Sequence, residues 1–460
     1  MRLSTTALLR GAAFALGVAV SAAGGCSLTT LDVLQCRTDA DCEVALDGDH
    51  LCSQDGYCRA LPDEPGRCSG VIEVRVFAEL SGPLRNVGIP YFKGEIDLLR
   101  EINDEGGIRG CPIVVKAADY GYDEDRAIEV YDAWVAEPTW PDVITVFGFG
   151  TPDTKEISED FPEQGIVGIS ASYSGELATP RPVSLGVKVP SVNVDFEIVR
   201  SNAAKTSTGF PNNYFAGTDY STGGRAAMEF INQQGAEKVA FIACDNDFCQ
   251  DPMAAIKTYA LDELELGLGR ELTVEFVWTT PEVEDAVLGF FAEEMAQKEA
   301  DPNYVIPDWV WVANATSSAA EIGAAIGRVR EEMGLDVKVI ANNWGFDENV
   351  FALCRGGCVD YFYGIMPFAA YGDSVPGMDK LMEIHDKWRA IDAAGYESNP
   401  PEVDGNGDPL TYENVRYVQG YVSVLMWRAA MERVVDQQKS GDANTQPALR
   451  RPVEHRDTRG

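Results

Sequence analysis

Histidine is nearly absent. His50, His385 and His455 are the only three in 460 residues, and their separation leaves little material for a histidine-based metal centre or a catalytic triad. Positive charge is also scarce: 37 Lys and Arg stand against 73 Asp and Glu, a formal net charge of −36. Such a chain repels phosphate backbones and anionic headgroups, so neither nucleic acid nor a bare membrane surface is an expected partner. No G-x-S-x-G elbow, P-loop or H-E-x-x-H occurs, and each would carry a specific chemistry. Gly148-Phe149-Gly150 starts like a dinucleotide fingerprint, but Asp153 holds the third glycine position and would face a pyrophosphate. Asp404-Gly405-Asn406-Gly407-Asp408 resembles half a calcium loop, with Pro409 and Val415 where glycine and glutamate are required. No enzyme, metal or cofactor is expected.

Long apolar runs are missing too. The stretch from Ala12 to Ala23 follows Arg2 and Arg10, and at about a dozen residues it is too short to span a bilayer comfortably. It reads as a cleaved signal over residues 1–25. Its end, Ala23-Gly24-Gly25-Cys26, resembles a bacterial lipobox, which makes Cys26 a lipidated first residue of the mature chain; an ordinary signal with a free Cys26 is the alternative.

There are 11 cysteines, and Cys26 apart they are even in number, as an oxidising compartment favours. Cys36, Cys42, Cys52, Cys58 and Cys68 crowd an acidic stretch poor in aliphatics, over residues 26–69. That stretch needs disulfides to hold a shape, and its spacings do not suit zinc. Cys68 and Cys111 each precede one of two adjacent strands, so they are expected to pair. Cys36, Cys42, Cys52 and Cys58 then pair among themselves in any of three ways. Cys244 with Cys249, and Cys354 with Cys358, close local loops.

From Gly70 the pattern changes. Strands at Val71–Phe77, Ile113–Ala117, Val143–Phe147 and Gly165–Ile169 alternate with helices at Pro90–Asp104 and Asp125–Val135. This rhythm means a doubly wound parallel sheet. Residues Thr179 to Asn213, rich in proline, serine and asparagine, interrupt it. A second series begins near Phe215 to Thr218, with a helix from Tyr220 to Gln234. Strands follow at Lys238–Ala243, Thr273–Trp278, Trp309–Val312 and Val337–Ile340. With 45% hydrophobic residues, two globular lobes with proper cores are affordable.

The organising stretch is Val146 to Leu177. Two successive strands run out there into Gly148-Phe149-Gly150-Thr151 and into Ser170-Ala171-Ser172-Tyr173-Ser174. Thr151 or Asp153 can cap the helix after the first. Small hydroxyl residues and free N–H groups therefore reach the carboxyl edge of one sheet, where open α/β sheets bind ligands.

This segment, with Ala78-Glu79-Leu80-Ser81-Gly82-Pro83 and Glu101-Ile102-Asn103-Asp104-Glu105-Gly106-Gly107-Ile108-Arg109-Gly110, resembles the type I periplasmic solute-binding proteins, the branched-chain amino-acid receptors of ABC transporters. The resemblance continues to about Arg433. It implies two doubly wound parallel-sheet lobes joined by a hinge: lobe 1 over 70–216, lobe 2 over 217–362, a return to lobe 1 over 363–436, and a polar tail over 437–460. It places a carboxylate clamp on Thr151, Ser172, Tyr173 and Ser174, with Phe248 and Asn314 or Ala315 closing from the second lobe. The substrate-facing aromatic of the first loop aligns with Val87 and is missing. The acid that meets a substrate ammonium aligns near Asn343, with Asp347 close by as a substitute. Trp344 and Tyr371 are candidate apolar walls. Family members usually end with a pair of strands crossing back to the second lobe. The run from Gln437 to Gly460 shows none, so either the gene is truncated or that lobe lacks an edge element.

The resulting expectation is a cell-envelope lipoprotein, periplasm-facing or on the outer membrane, touching membrane only through its lipid. It would capture a small polar metabolite, such as an amino acid, amide or short carboxylate, for an ABC permease. A sensor that signals to an envelope partner without transport is the alternative, and the fold alone does not separate the two.

Overall fold

The computed structural model describes residues 30–31, 50–52, 58–60, 71–178, 210, 212–277, 282–354, 356–394 and 412–439. Cys26, Cys36, Cys42, Cys68, the 404–408 stretch and nearly all of the 179–213 insertion lie outside them. Strand β1 (Thr30–Leu31) comes first, followed by β2 (His50–Cys52) and β3 (Cys58–Ala60). The last two pair antiparallel with Cys52 opposite Cys58.

Lobe 1 starts with β4 (Ile72–Ala78), buried along its whole length. Helix α1 (Arg85–Asp104) follows, then β5 (Ile113–Asp119) and α2 (Glu124–Val135), capped by Asp123, whose side chain accepts the Arg126 N–H at 3.0 Å. Pro90, taken from the sequence as the start of α1, lies inside it, where its missing N–H costs one helical hydrogen bond. Next come β6 (Val143–Gly148), α3 (Thr151–Ser158), β7 (Val167–Ser170) and β8 (Asn213–Tyr214). The sheet order is β1-β5-β4-β6-β7-β8, parallel except for β1.

Lobe 2 holds α4 (Tyr220–Gln233), β9 (Lys238–Cys244), β10 (Gly267–Val274), α5 (Glu282–Ala300), β11 (Trp309–Ala313), α6 (Thr316–Met333), β12 (Lys338–Ala341) and β13 (Phe362–Gly364). Its parallel sheet runs β10-β9-β11-β12-β13. The strand expected at Thr273–Trp278 is β10 and starts six residues earlier than expected. As a half-exposed edge strand with two glycines it shows no apolar run. The chain leaves the sheet at Val274, freeing Phe276 for the cleft. The second sheet also extends past residue 362, to Gly364.

The return to lobe 1 brings α7 (Met378–Ala394) and α8 (Val415–Lys439). Helix α7 was not expected, although buried Met378, Leu381, Ile384 and Trp388 recur at helical spacing. A buried carboxylate, Asp97 of α1, ties both helices down: it accepts from Arg389 and, at 2.9 Å, from the Tyr417 hydroxyl. Helices α1 and α8 touch backbone to backbone, since a Cβ at Gly94 would collide with the Tyr417 carbonyl and one at Gly420 with the Tyr91 carbonyl. Cys244–Cys249 and Cys354–Cys358 are disulfides. Cys111 is disulfide-bonded as well, and Cys68, its expected partner, is outside the described residues.

Candidate functional site

Both sheets follow the same winding. In lobe 1 the direction of winding reverses between β4 and β6, and in lobe 2 between β9 and β11. Ligands bind outside the strand ends at such switch points. The two switch points face each other across one small cavity of about 20 Å³. Lobe 1 contributes Leu84, Val87, Tyr122, Phe149, Gly150 and Thr151; lobe 2 contributes Tyr220, Phe248, Phe276, Ala315 and Trp344. Among the described residues no charged side chain lines it.

Aromatic rings make most of the wall. Tyr122 and Phe276 stack across the lobes at 5.0 Å, and Phe149 meets Trp344 edge-on at 5.8 Å. Tyr220 packs edge-on to Phe248 at 5.3 Å. Tyr122 and Val277, on either side of the stack, have φ of 56° and 53°. The left-handed region costs a bulky residue about 1–2 kcal/mol, and such strain concentrates at ligand sites.

Of the four residues expected in the clamp, Thr151 and Ser172 come together. The Thr151 and Ser172 hydroxyls are 2.7 Å apart and buried. The Ser172 N–H donates to Ser170 Oγ at 2.8 Å, which fixes the loop. Helix α3 is capped neither by Thr151 nor by Asp153 in the usual sense: Gly150 is the N-cap, and its N–H is taken by Asp153 (3.2 Å) and by the Tyr120 hydroxyl (3.1 Å). Burial raises the Asp153 carboxyl to about 7 against those hydrogen bonds. Burial likewise lifts neighbouring Glu79 to about 7, opposed by the hydrogen bond from the Leu84 N–H and reinforced by Asp119 and Asp153.

Other expected ligand residues have different neighbours. Ser174 donates to Asp251 of the second lobe at 2.5 Å. The Asn314 amide is spent on backbone: Oδ1 accepts from the Ala315 and Val277 N–H groups, and Nδ2 donates to the Glu275 carbonyl. Asn314 therefore positions the Phe276 loop. Asn343 lines a separate cavity of about 10 Å³ with Trp311, Thr218 and Asp219, and its Nδ2 has no partner among the described residues. Tyr371 sits away from the cleft against His385 (5.1 Å) and Tyr417 (6.3 Å); a lone loop aromatic carries no directional information from sequence. Asp347, the candidate ammonium partner, is held by Arg416 at 3.2 Å and by the Thr316 hydroxyl at 2.8 Å.

Arg416 and Lys155 join the lobes. Arg416, at the start of α8, donates to the carbonyls of Asn343, Trp344 and Phe346 and lies 4.7 Å behind the Trp344 ring. It thereby sets the back wall of the cleft. On the other side Lys155 of α3 reaches Asp251 at 2.6 Å and Asp247 at 2.9 Å, both of lobe 2, and Glu176 at 3.1 Å. Burial opposes its charge, but these carboxylates outweigh that and hold its ammonium above the ordinary lysine value.

Tyr220 and Phe276 were not anticipated. Tyr220 starts the helix after the lobe crossing rather than following a strand. Burial raises its phenol to about 12, opposed by hydrogen bonds with the Tyr173 backbone and the side chains of Thr151, Trp344 and Ser172. Among the described residues no group of three or more His, Cys, Asp or Glu could hold a metal, and no helix is long and apolar enough to cross a membrane.

A family model described as a periplasmic binding protein matches residues 72–455. Among solved structures, the chain resembles an ABC transporter substrate-binding protein from Aeropyrum pernix, with 24% identity, TM-score 0.60 and 83% of each chain covered. A fatty acid ABC transporter substrate-binding protein from Thermomonospora curvata matches at 16% identity and TM-score 0.58, covering 84% of this chain and 80% of that one. A branched-chain amino acid ABC transporter structure from Thermus thermophilus with bound valine matches at 18% identity and TM-score 0.56, covering 80% of each. At these identities the likeness is one of fold. No curated protein sequence matches the chain significantly.

Proposed function

The chain belongs to the type I periplasmic binding protein family, and from that premise we propose that it captures a small ligand between its lobes at the cell envelope and presents it to an ABC permease. One observation carries this reading: the switch points of both sheets converge on a single cavity walled by both lobes. The wall also narrows the ligand. Flat aromatic surfaces suit a planar, mostly apolar body. An α-amino acid would bury its ammonium without a partner, because among the described residues no acid lines the cavity and Asp347 is already paired. Membrane attachment through lipid on Cys26 belongs to the same reading and rests on the Ala23-Gly24-Gly25-Cys26 box.

Ligand that binds only the folded form raises its stability by about 2.7 kcal/mol at a hundredfold excess over Kd. A thermal-shift screen of planar aromatics, amides, amino acids and short carboxylates is the test. A clear riser that Trp344→Ala abolishes supports the reading. A riser indifferent to Trp344→Ala and Phe248→Ala overturns it.

A further inference from the structure

Trp311 and Asn343 share an unmet demand. Trp311 stands in the middle of β11, opposite Phe241 of β9 and Ile340 of β12, and is 1% exposed. Asn343 follows β12, is 5% exposed, and is held by its carbonyl, which accepts from Arg416 at 2.7 Å. Both line the cavity of about 10 Å³ that Tyr220 divides from the cleft, Tyr220 being a wall of each. Trp311 Nε1 and Asn343 Nδ2 are buried and have no hydrogen-bond partner among the described residues. An indole nitrogen can only donate, and a buried donor left unpaired carries its full desolvation penalty. Neighbouring Asn342 makes no such demand, because its side-chain oxygen accepts the Gly345 N–H at 2.7 Å.

The rest of the wall says what kind of group answers. Thr218 and Asp219, from the first crossing between the lobes, and Ile365 and Pro367, from the second, complete it. The Asp219 carboxylate caps α4 by accepting the Thr222 N–H at 2.9 Å, and a carboxylate can accept several such bonds. Beside that charge, in a chain of net charge −36, a full anion is disfavoured. A cation is opposed by the two donors. What fits is an uncharged group that accepts at one end and donates at the other. The space has room for about one small atom, so a carbonyl oxygen enters and the nitrogen attached to its carbon stays toward the crossings. We infer that this cavity is a second ligand site, which takes the carbonyl oxygen of a small primary amide on Trp311 and Asn343 and its NH2 group on Asp219. The site is independent of the cleft, and its failure would leave the cleft reading untouched.

The test is a magnetic-resonance titration of the full chain with acetamide, the tryptophan indole nitrogens being isotope-labelled. The chain has eight tryptophans, and Trp311→Phe identifies the Trp311 signal by its loss. Acetamide should move that signal downfield and saturate, whereas acetate, equal in size but charged, should leave it in place. Asn343→Leu should weaken the acetamide response about tenfold. Phe248→Ala, which alters the cleft and not this cavity, should keep it. Should Trp311→Phe fail to fold, a crystal of wild type soaked in acetamide reads the same contact. The inference is overturned by a Trp311 signal that acetamide does not move, by one that acetate moves equally, or by a response lost in Phe248→Ala. A single water on the two donors in the soaked crystal overturns it as well.

Discussion

Lys155 of the first lobe and Asp251 of the second meet at 2.6 Å, and Ser174 joins them by donating to the same carboxylate oxygen. The two lobes are thus joined by an ionic clasp. Both side chains are mostly buried, so salt screens the pair only partly. Lys155→Met should favour the open form, since hydrogen bonds to charged groups are worth about 1.5–3 kcal/mol. Small-angle scattering should show a larger radius of gyration for the variant. An unchanged radius would remove Lys155 from the closing machinery.

Arg416 and Asp347 form a pair in which each side chain is only 1% exposed. Arg416→Met strands the Asp347 carboxylate and three carbonyls, and breaking one side of such a pair costs about 3–5 kcal/mol. Denaturant unfolding should show that loss. The double variant Arg416→Met/Asp347→Leu should recover part of it, because the uncompensated charge is gone.

Asp153 makes stability depend on pH in a defined direction. Its folded carboxyl, raised to about 7 by burial, holds a proton that the unfolded chain has already released. Stability from this group is therefore present at acid pH and lost as pH rises toward 7, then flat above it. Glu79, also at about 7, acts in the same sense. The melting temperature of wild type should fall between pH 5 and about 7.5 more steeply than that of Asp153→Asn, which keeps an oxygen for the Gly150 N–H. Parallel profiles would contradict the assignment.

Gly420 lets α8 rest on α1, where any Cβ would meet the Tyr91 carbonyl rather than a yielding side chain. Overpacking at such a contact typically costs about 1–3 kcal/mol. Gly420→Ala should lower stability by that order. Ala at Gly289, where a Cβ meets nothing within 4 Å, should not.

Thr151, Ser172, Phe248 and Trp344 are legible in the sequence because each follows a strand closely, and strand ends point to one sheet edge. Tyr220 is not, because a helix start after a lobe crossing has no fixed relation to that edge. Tyr122 and Phe276 are hidden for another reason. Their approach depends on left-handed backbone at Tyr122 and Val277, which no local pattern announces. Asn314 and Asn343 lie on the right loops, but a loop position does not say which way an amide turns. Asn314 turns to backbone and Asn343 to a neighbouring cavity. The sheets themselves are the most legible part, since buried parallel strands read as short β-branched runs. The exposed edge strand β10 is the exception.

Ligand is expected between the lobes, against Trp344 and Phe149. A crystal structure of the protein with the compound that raises its melting temperature most tests this directly. The expected result is a planar molecule between the two switch points, in contact with Trp344, Phe149 and Phe248. Ligand bound elsewhere, with that cleft unchanged and empty, would contradict it.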